Sequence, residues 1–285
     1  MVTATLADRL TEARGRLVAA GIPADEAAID VDLYARRILG WDRANLITRR
    51  GEEVPAGLDP TFSEWVARRE RREPSAYIIG EREFYGRDFL VSPAVLIPRP
   101  ETEHIVEALL PLLAAQPTAL VADIGTGSGN IAVTLACEAR GCRVVATDVS
   151  DVALAVAARN AVRHGVADRV TFVHTSYLDG VIDTFDVIAA NPPYVRETDR
   201  AGLSPSVQRE PAVAIFGGED GMRDVEGVLV ATDARLRRDG WLLMEFGFGQ
   251  EEDIRQAIAR HPALRLDRVV ADLQGLPRTI VAQRL

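Results

Sequence analysis

Leu120-Val121-Ala122-Asp123-Ile124-Gly125-Thr126-Gly127-Ser128-Gly129-Asn130 is an apolar run that enters three alternating glycines and opens directly into Ile131-Ala132-Val133-Thr134-Leu135-Ala136. A strand feeding a glycine loop and then a helix is the opening unit of a nucleotide-binding α/β sheet. Glycine there tolerates φ > 0 and lets a ligand approach the backbone with no Cβ in the way. The next apolar run, Arg143-Val144-Val145-Ala146-Thr147-Asp148, ends on a carboxylate nineteen residues after Gly129. A carboxylate at that tip accepts hydrogen bonds from ribose hydroxyls and repels a 2′-phosphate, so the expected ligand resembles adenosine.

Strand and helix alternate downstream of Thr118. Strands are expected over 119–124, 143–147, 169–174, 185–190, 240–246, 264–271 and 278–284, and helices over 128–140, 150–164, 222–237 and 250–261. Parallel strands need crossover helices, so this alternation predicts a mostly parallel sheet covered on both faces. The last two runs have no helix between them and are expected to pair antiparallel at the edge.

Upstream, residues 1–74 read as short amphipathic helices. Leu6, Leu10, Ala13 and Leu17 share one stripe, Ala28, Val31, Ala35, Ile38 and Leu39 a second, and Phe62, Trp65, Val66 and Arg69 a third. Asp59, or Thr61 with Glu64, is placed to cap the third helix. Arg68-Arg69-Glu70-Arg71-Arg72 reads as a solvated face, or as a holder of an acidic partner. From Ser75 to Ser92 the period changes to two, which predicts a β-hairpin linker, assigned to 75–97, ahead of a domain over 98–285.

The chain has 285 residues, 47% hydrophobic, and a net charge of −9. That balance argues against a long phosphate-gripping surface, and therefore against direct binding of nucleic acid. No run reaches the roughly 18 apolar residues of a membrane span. The first ten residues mix acids and bases and do not read as a signal peptide. Cys137 and Cys142 alone make neither a disulfide framework nor a zinc site, which points to the reducing cytoplasm and to no metal.

The second chemical signal is Asp186-Val187-Ile188-Ala189-Ala190-Asn191-Pro192-Pro193-Tyr194. Two prolines end the strand, remove two donors and leave carbonyls free as acceptors. Asn191 adds a carboxamide, and Tyr194 a ring able to cover a planar group. The guest such a cup suits is a planar NH2. On the cofactor side the spacing is G-x-G-x-G, not the dinucleotide G-x-G-x-x-G. Asp123 suits the ammonium of S-adenosylmethionine better than the pyrophosphate of NAD, although it also suits a role as a loop cap. Together these features predict methyl transfer to an amine or amide nitrogen. An NAD oxidoreductase, a DNA adenine methyltransferase and a non-catalytic adaptor stay open. Glu245, ending Leu243-Met244-Glu245, is placed near the same strand tips; His104, His164, His174 and His261 are given no role.

With those motifs in hand, the chain resembles the HemK/PrmC family of peptide chain release factor N5-glutamine methyltransferases over nearly its whole length. The resemblance rests on Ile97-Pro98-Arg99-Pro100-Glu101-Thr102-Glu103, Asp123 to Gly129, Asn191 to Tyr194, Glu210-Pro211 and Gly218-Glu219-Asp220-Gly221. It implies a seven-stranded Rossmann-like class I methyltransferase with a helical N-terminal domain that docks the release factor. It implies that Asp123, Gly125, Thr126, Gly127, Ser128, Gly129, Asp148, Tyr177 and Asn191 bind S-adenosylmethionine. Tyr177 would lie against adenine. Asn191, Pro192, Pro193 and Tyr194 would hold the glutamine of a Gly-Gly-Gln segment, with Asn191 and Pro192 catalytic. The family often has an acidic residue before that aromatic; here it is Ser176. A ribosomal protein glutamine or a nucleic-acid base is the alternative acceptor.

Overall fold

The computed structural model describes residues 4–285; Met1 to Thr3 of the N-terminal reading lie outside the described residues. The chain divides into two compact units, Met1–Gly80 with Ser204–Arg209, and Glu81–Leu203 with Glu210–Leu285.

The first unit holds α1 (Leu6–Ala19), α2 (Ala24–Leu39), α3 (Arg43–Thr48), α4 (Thr61–Glu70) and α5 (Ser75–Ile79). Its core gathers Leu6, Leu10, Leu17, Val31, Tyr34, Phe62 and Val66; the expected stripes meet there, except that Ala27 and not Ala28 faces inward on α2. Thr5 starts α1 with a capping box through Asp8. Neither expected cap forms on α4, because Asp59 is taken by Arg9 and Ser63. One member of the arginine run leaves the expected solvated face. Arg69 is 2% exposed, pairs with Asp30 at 2.6 Å and with Glu26, and donates to Ser206 at 3.0 Å. A guanidinium can be buried only with its fork filled by such acceptors.

The expected hairpin linker over 75–97 is also corrected. Ser75–Ile79 is a helical turn, entered after Pro74 and stopped by Gly80 at φ 84, and the hairpin is limited to β1 (Glu81–Phe84) and β2 (Arg87–Leu90). A short apolar run such as Tyr77-Ile78-Ile79 carries no decisive period.

The second unit is built on β3 (Leu120–Ile124), β4 (Arg143–Asp148), β5 (Val170–His174), β6 (Phe185–Ala190), β7 (Leu236–Glu245), β8 (Leu264–Ala271) and β9 (Pro277–Arg284), in the spatial order β5-β4-β3-β6-β7-β9-β8. The first five of these strands are parallel; β9 runs antiparallel to both β7 and β8. The expected last pair therefore forms, with β9 inside the sheet and β8 at its edge.

Helices α6 (Glu103–Ala115), α7 (Asn130–Glu138), α8 (Asp151–Arg163), α9 (Arg223–Arg235) and α10 (Glu251–Ala259) complete the unit. One core cluster joins α6 and α7 to one sheet face, and a second joins α9 and α10 to the other. Buried Asn160 on α8 stitches the hairpin down: it accepts from Leu90 N and donates to the Leu90 and Ser128 carbonyls. Strand order reverses between the parallel neighbours β3 and β6, and ligand crevices in open α/β sheets form at such a switch point.

Candidate active site

Ile124 pairs with Ala190, so the glycine loop leaving β3 and the Asn-Pro-Pro-Tyr segment leaving β6 start side by side. A cavity opens over these tips, walled by Ile124, Gly125, Gly127, Asp148, Val149, Thr175, Ser176, Tyr177, Asn191, Pro192 and Pro193, and roofed by Leu96, Val213, Ala214, Asp224 and Val228. Its charged residues are Asp148 and Asp224; no lysine, arginine or histidine lines it. A larger groove of about 510 Å³ along β4 and β5 reaches neither the glycine loop nor Asn191.

Gly125 and Gly127 have φ of 72° and 56°, with open space where a Cβ would stand. They are the loop's face toward the cavity. Asp148 Oδ2 accepts from Gly127 N at 2.9 Å and Oδ1 from Ser150 N at 2.9 Å. Each carboxylate oxygen keeps a further lone pair for a ligand hydroxyl. Burial pushes the Asp148 carboxyl up, and the Gly127 amide works against that rise.

The other loop residues do not line the cavity. Asp123 is fully buried beneath the loop, where Oδ2 accepts from Thr126 Oγ1 at 2.6 Å and from Ala132 N at 3.1 Å. Its Oδ1 has no partner among the described residues. Burial, opposed by these two hydrogen bonds, pushes the carboxyl up to about 6. Asp123 thus takes the loop-capping place. Thr126 and Ser128 are buried in the loop's own bonding. Gly129 faces helix α8: a Cβ there would stand 3.0 Å from that of Ala157. Its missing Cβ lets the start of α7 pack closely on α8.

Tyr177 stands on the wall at φ 49. Its carbonyl accepts from Thr147 Oγ1 at 2.7 Å, and its hydroxyl donates to Asp224 at 3.0 Å. The ring lies on Gly227 of α9 so closely that a Cβ there would meet three ring carbons at 2.1 to 2.5 Å. Burial, and then the Asp224 charge, push its phenol up to about 12.

At the other end of the cavity, Asn191 Nδ2 donates to Thr102 Oγ1 at 2.9 Å. Among the described residues, neither Asn191 Oδ1 nor the Pro192 carbonyl accepts a hydrogen bond, and both residues line the cavity. Tyr194 differs from expectation. Its hydroxyl donates to Glu245 at 3.1 Å, its carbonyl accepts from Gln250 at 3.1 Å, and its ring packs on Gly247. The ring is an anchor for the turn and is not a wall of the cavity, because two polar partners and a glycine bed hold it elsewhere.

The motif residues Arg99 and Glu210 meet: Glu210 is buried, pairs with Arg99 and accepts from Ile97 N at 2.9 Å. That pairing ties down both strands of chain that carry the roof residues Leu96 and Val213. Asp224, Thr102 and Glu210 have places in or beside this site that sequence spacing did not reveal. An acid in the first turn of a helix, as Asp224 is, looks like ordinary dipole chemistry.

Residues 8–80 match the family model described as the PrmC N-terminal domain, and residues 102–204 match the methyltransferase small domain. A release factor glutamine methyltransferase of Nitratidesulfovibrio vulgaris is 41% identical over 99% of this chain and 96% of its own length. One from Koribacter versatilis is 39% identical over 98% of this chain and 99% of its own. In fold, the chain is similar to the ribosomal protein L11 methylase of Lactobacillus delbrueckii subsp. bulgaricus, with a TM-score of 0.50 and 22% identity over 71% of this chain and 88% of that one. The sheet and its helices are those of a class I methyltransferase. On identity sustained over nearly its full length, the chain belongs to the release factor glutamine methyltransferase family.

Proposed function

We propose that the protein transfers the methyl group of S-adenosylmethionine to the side-chain amide nitrogen of the glutamine in the Gly-Gly-Gln segment of peptide chain release factors. The observation that carries this reading is the pair of unused acceptors, Asn191 Oδ1 and the Pro192 carbonyl, on the wall of a cavity that holds two carboxylates and no cation. Two acceptors on consecutive residues match in number the two hydrogens of one amide NH2. Asp224 is paired with Arg223 at 2.8 Å, which leaves Asp148 as the lining carboxylate without a cation partner, and the named activity of the relatives sets the NAD alternative aside. Relatives at 39–41% identity named release factor glutamine methyltransferase support the same reading.

Asp148 would hold the ribose, Tyr177 the adenine face, and Gly125 and Gly127 the methionine part. Asp123, Thr126, Ser128 and Gly129 serve by shaping that loop, with the Asp123 charge lying directly behind it. S-adenosylmethionine held there would supply a methyl on a positively charged sulfur, which would keep the electrons of the broken carbon–sulfur bond as the new bond to the amide nitrogen formed. An amide nitrogen is a weak nucleophile because its lone pair is shared with the carbonyl. Asn191 Oδ1 and the Pro192 carbonyl draw density onto that nitrogen through its hydrogens and fix its direction. After transfer the nitrogen is acidic and releases one proton to water, so none of the four histidines is needed.

The helical unit up to Gly80 is the docking element for the release factor in this reading, and the acceptor is protein, not nucleic acid. No helix is long and apolar enough to cross a membrane among the described residues; translation termination places the reaction in the cytoplasm. The test is transfer of labelled methyl to a purified release factor, beside one whose Gly-Gly-Gln glutamine is changed. Label on the first alone is expected, lost in Asn191→Ala with cofactor binding retained. Label on neither, with cofactor bound normally, refutes the assignment and turns attention to ribosomal proteins and nucleic acids.

A further inference from the structure

We infer that Thr102 and Glu245 form a positioning relay that decides which end of the Asn191 carboxamide faces the cavity. The inference deepens the reading of Asn191 as the amide-holding residue and rests on it. Glu245 ends β7, is 1% exposed, and lies 143 residues from Thr102 in sequence. Its Oε2 accepts from Thr102 Oγ1 at 2.7 Å and its Oε1 from Tyr194 OH at 3.1 Å. An ionised carboxylate only accepts, and a hydroxyl has one hydrogen to give. Thr102 therefore commits that hydrogen to Glu245, and its oxygen is left able only to accept.

The group facing Thr102 Oγ1 at 2.9 Å must then be a donor, the Asn191 NH2. The two ends of a carboxamide have nearly the same shape, so packing alone does not choose between them. Hydrogen bonding does. With NH2 held by Thr102, Oδ1 is turned to the other side, where the proposed reaction needs an acceptor. Rotating the carboxamide by half a turn would set its NH2 against the NH2 of the incoming glutamine, donor against donor. Thr102 is itself held firmly: it is buried, on the single turn Pro100–Thr102 that begins α6. The preceding Arg99 is paired to Glu210.

Thr102→Val keeps the volume and the methyl group but removes the hydroxyl. Protein labelled with 15N at asparagine is expected to show proton cross-peaks from the Asn191 side-chain NH2 to the Thr102 methyl. These vanish from the corresponding methyls of Thr102→Val and return in Thr102→Ser at the Cβ protons. The single-turnover rate on release factor should drop on the order of 100-fold in Thr102→Val, with the dissociation constant for S-adenosylhomocysteine unchanged. Wild-type protein whose Asn191 NH2 gives no contact to Thr102 overturns the relay, whether or not the variant folds. So does a folded Thr102→Val with wild-type rate. Absence of transfer by wild-type protein that shows the cross-peaks would instead reject the function and leave the relay standing.

Discussion

Gly227 is the position at which a single carbon atom should separate helix stability from cofactor binding. In the middle of α9 alanine is a better helix former than glycine by about 1 kcal/mol, so Gly227→Ala gains locally. The new Cβ, however, would stand 2.1 Å from Cζ of Tyr177 and 2.5 Å from both Cε atoms. Ordinary contact begins at 3.4 Å, so the ring must retreat by 1.3 Å, the difference of 3.4 and 2.1. Thr147 holds its carbonyl and Asp224 its hydroxyl, and the open side is the cavity. The displaced ring loses its stacking face and intrudes on the adenine place. Stacking of a base on an aromatic ring contributes about 1–3 kcal/mol, so affinity for S-adenosylhomocysteine should fall roughly 5- to 150-fold. Calorimetric titration measures it, with a thermal melt alongside. In a Tyr177→Ala background the same glycine change should cost no further affinity. Wild-type affinity in Gly227→Ala, or an equal loss in both backgrounds, refutes the reasoning.

Asp123→Asn should change the pH dependence of stability in a defined direction. The folded carboxyl sits at about 6 against an ordinary 3.8, so folding raises its pKa, and the folded protein favours the protonated form. This group's contribution is most favourable below 3.8 and is lost as pH rises through 6. The cost above that window is about 3 kcal/mol, at about 1.4 kcal/mol per unit. Asparagine does not titrate, so the variant's stability relative to wild type should rise by about 2 kcal/mol between pH 4 and pH 7 in urea denaturation; a constant difference contradicts this. Glu245 should set an acid limb on the rate. Its burial, with Glu101 adding to it, pushes the carboxyl up against the pull of Thr102, Tyr194 and Arg278. Protonation frees the Thr102 hydrogen to turn toward Asn191. The single-turnover rate should therefore fall with one-proton slope as pH drops through a value above the usual carboxylate range. Glu245→Gln should remove that limb, and an unchanged profile in that variant would count against the relay.

The parallel strands were legible because strands buried on both faces are unbroken apolar runs, as in Phe185–Ala190, and because Pro192 and Pro193 mark where one must stop. Asp148 and Asn191 were legible as neighbours of one cavity for the same reason: both fall at strand tips that the topology aligns. What the sequence concealed depends on packing between distant segments. Arg69 sits on an apolar stripe, yet only Asp30 and Glu26 across the helices make its burial tolerable. Tyr194 reads as a substrate platform until Glu245 and Gln250 claim it. Tyr77-Ile78-Ile79 is too short for its period to distinguish helix from strand.

The inward place of β9 has a consequence for the order in which the protein can be made. β7 carries Glu245 and is paired on one side with β6 and on the other with β9, where Glu245 faces Thr279. As the chain emerges from the ribosome, the glycine loop and Asn191 are synthesised well before residues 277–284. Until those residues arrive, β7 is an open edge, with its outer backbone groups unpaired and able to pair with another chain. The strand that carries Glu245 thus gains its second neighbour only from residues made more than eighty positions after Asn191. A nascent chain that stalls before that point holds the glycine loop and the acceptor cup with the strand beneath Glu245 still half paired.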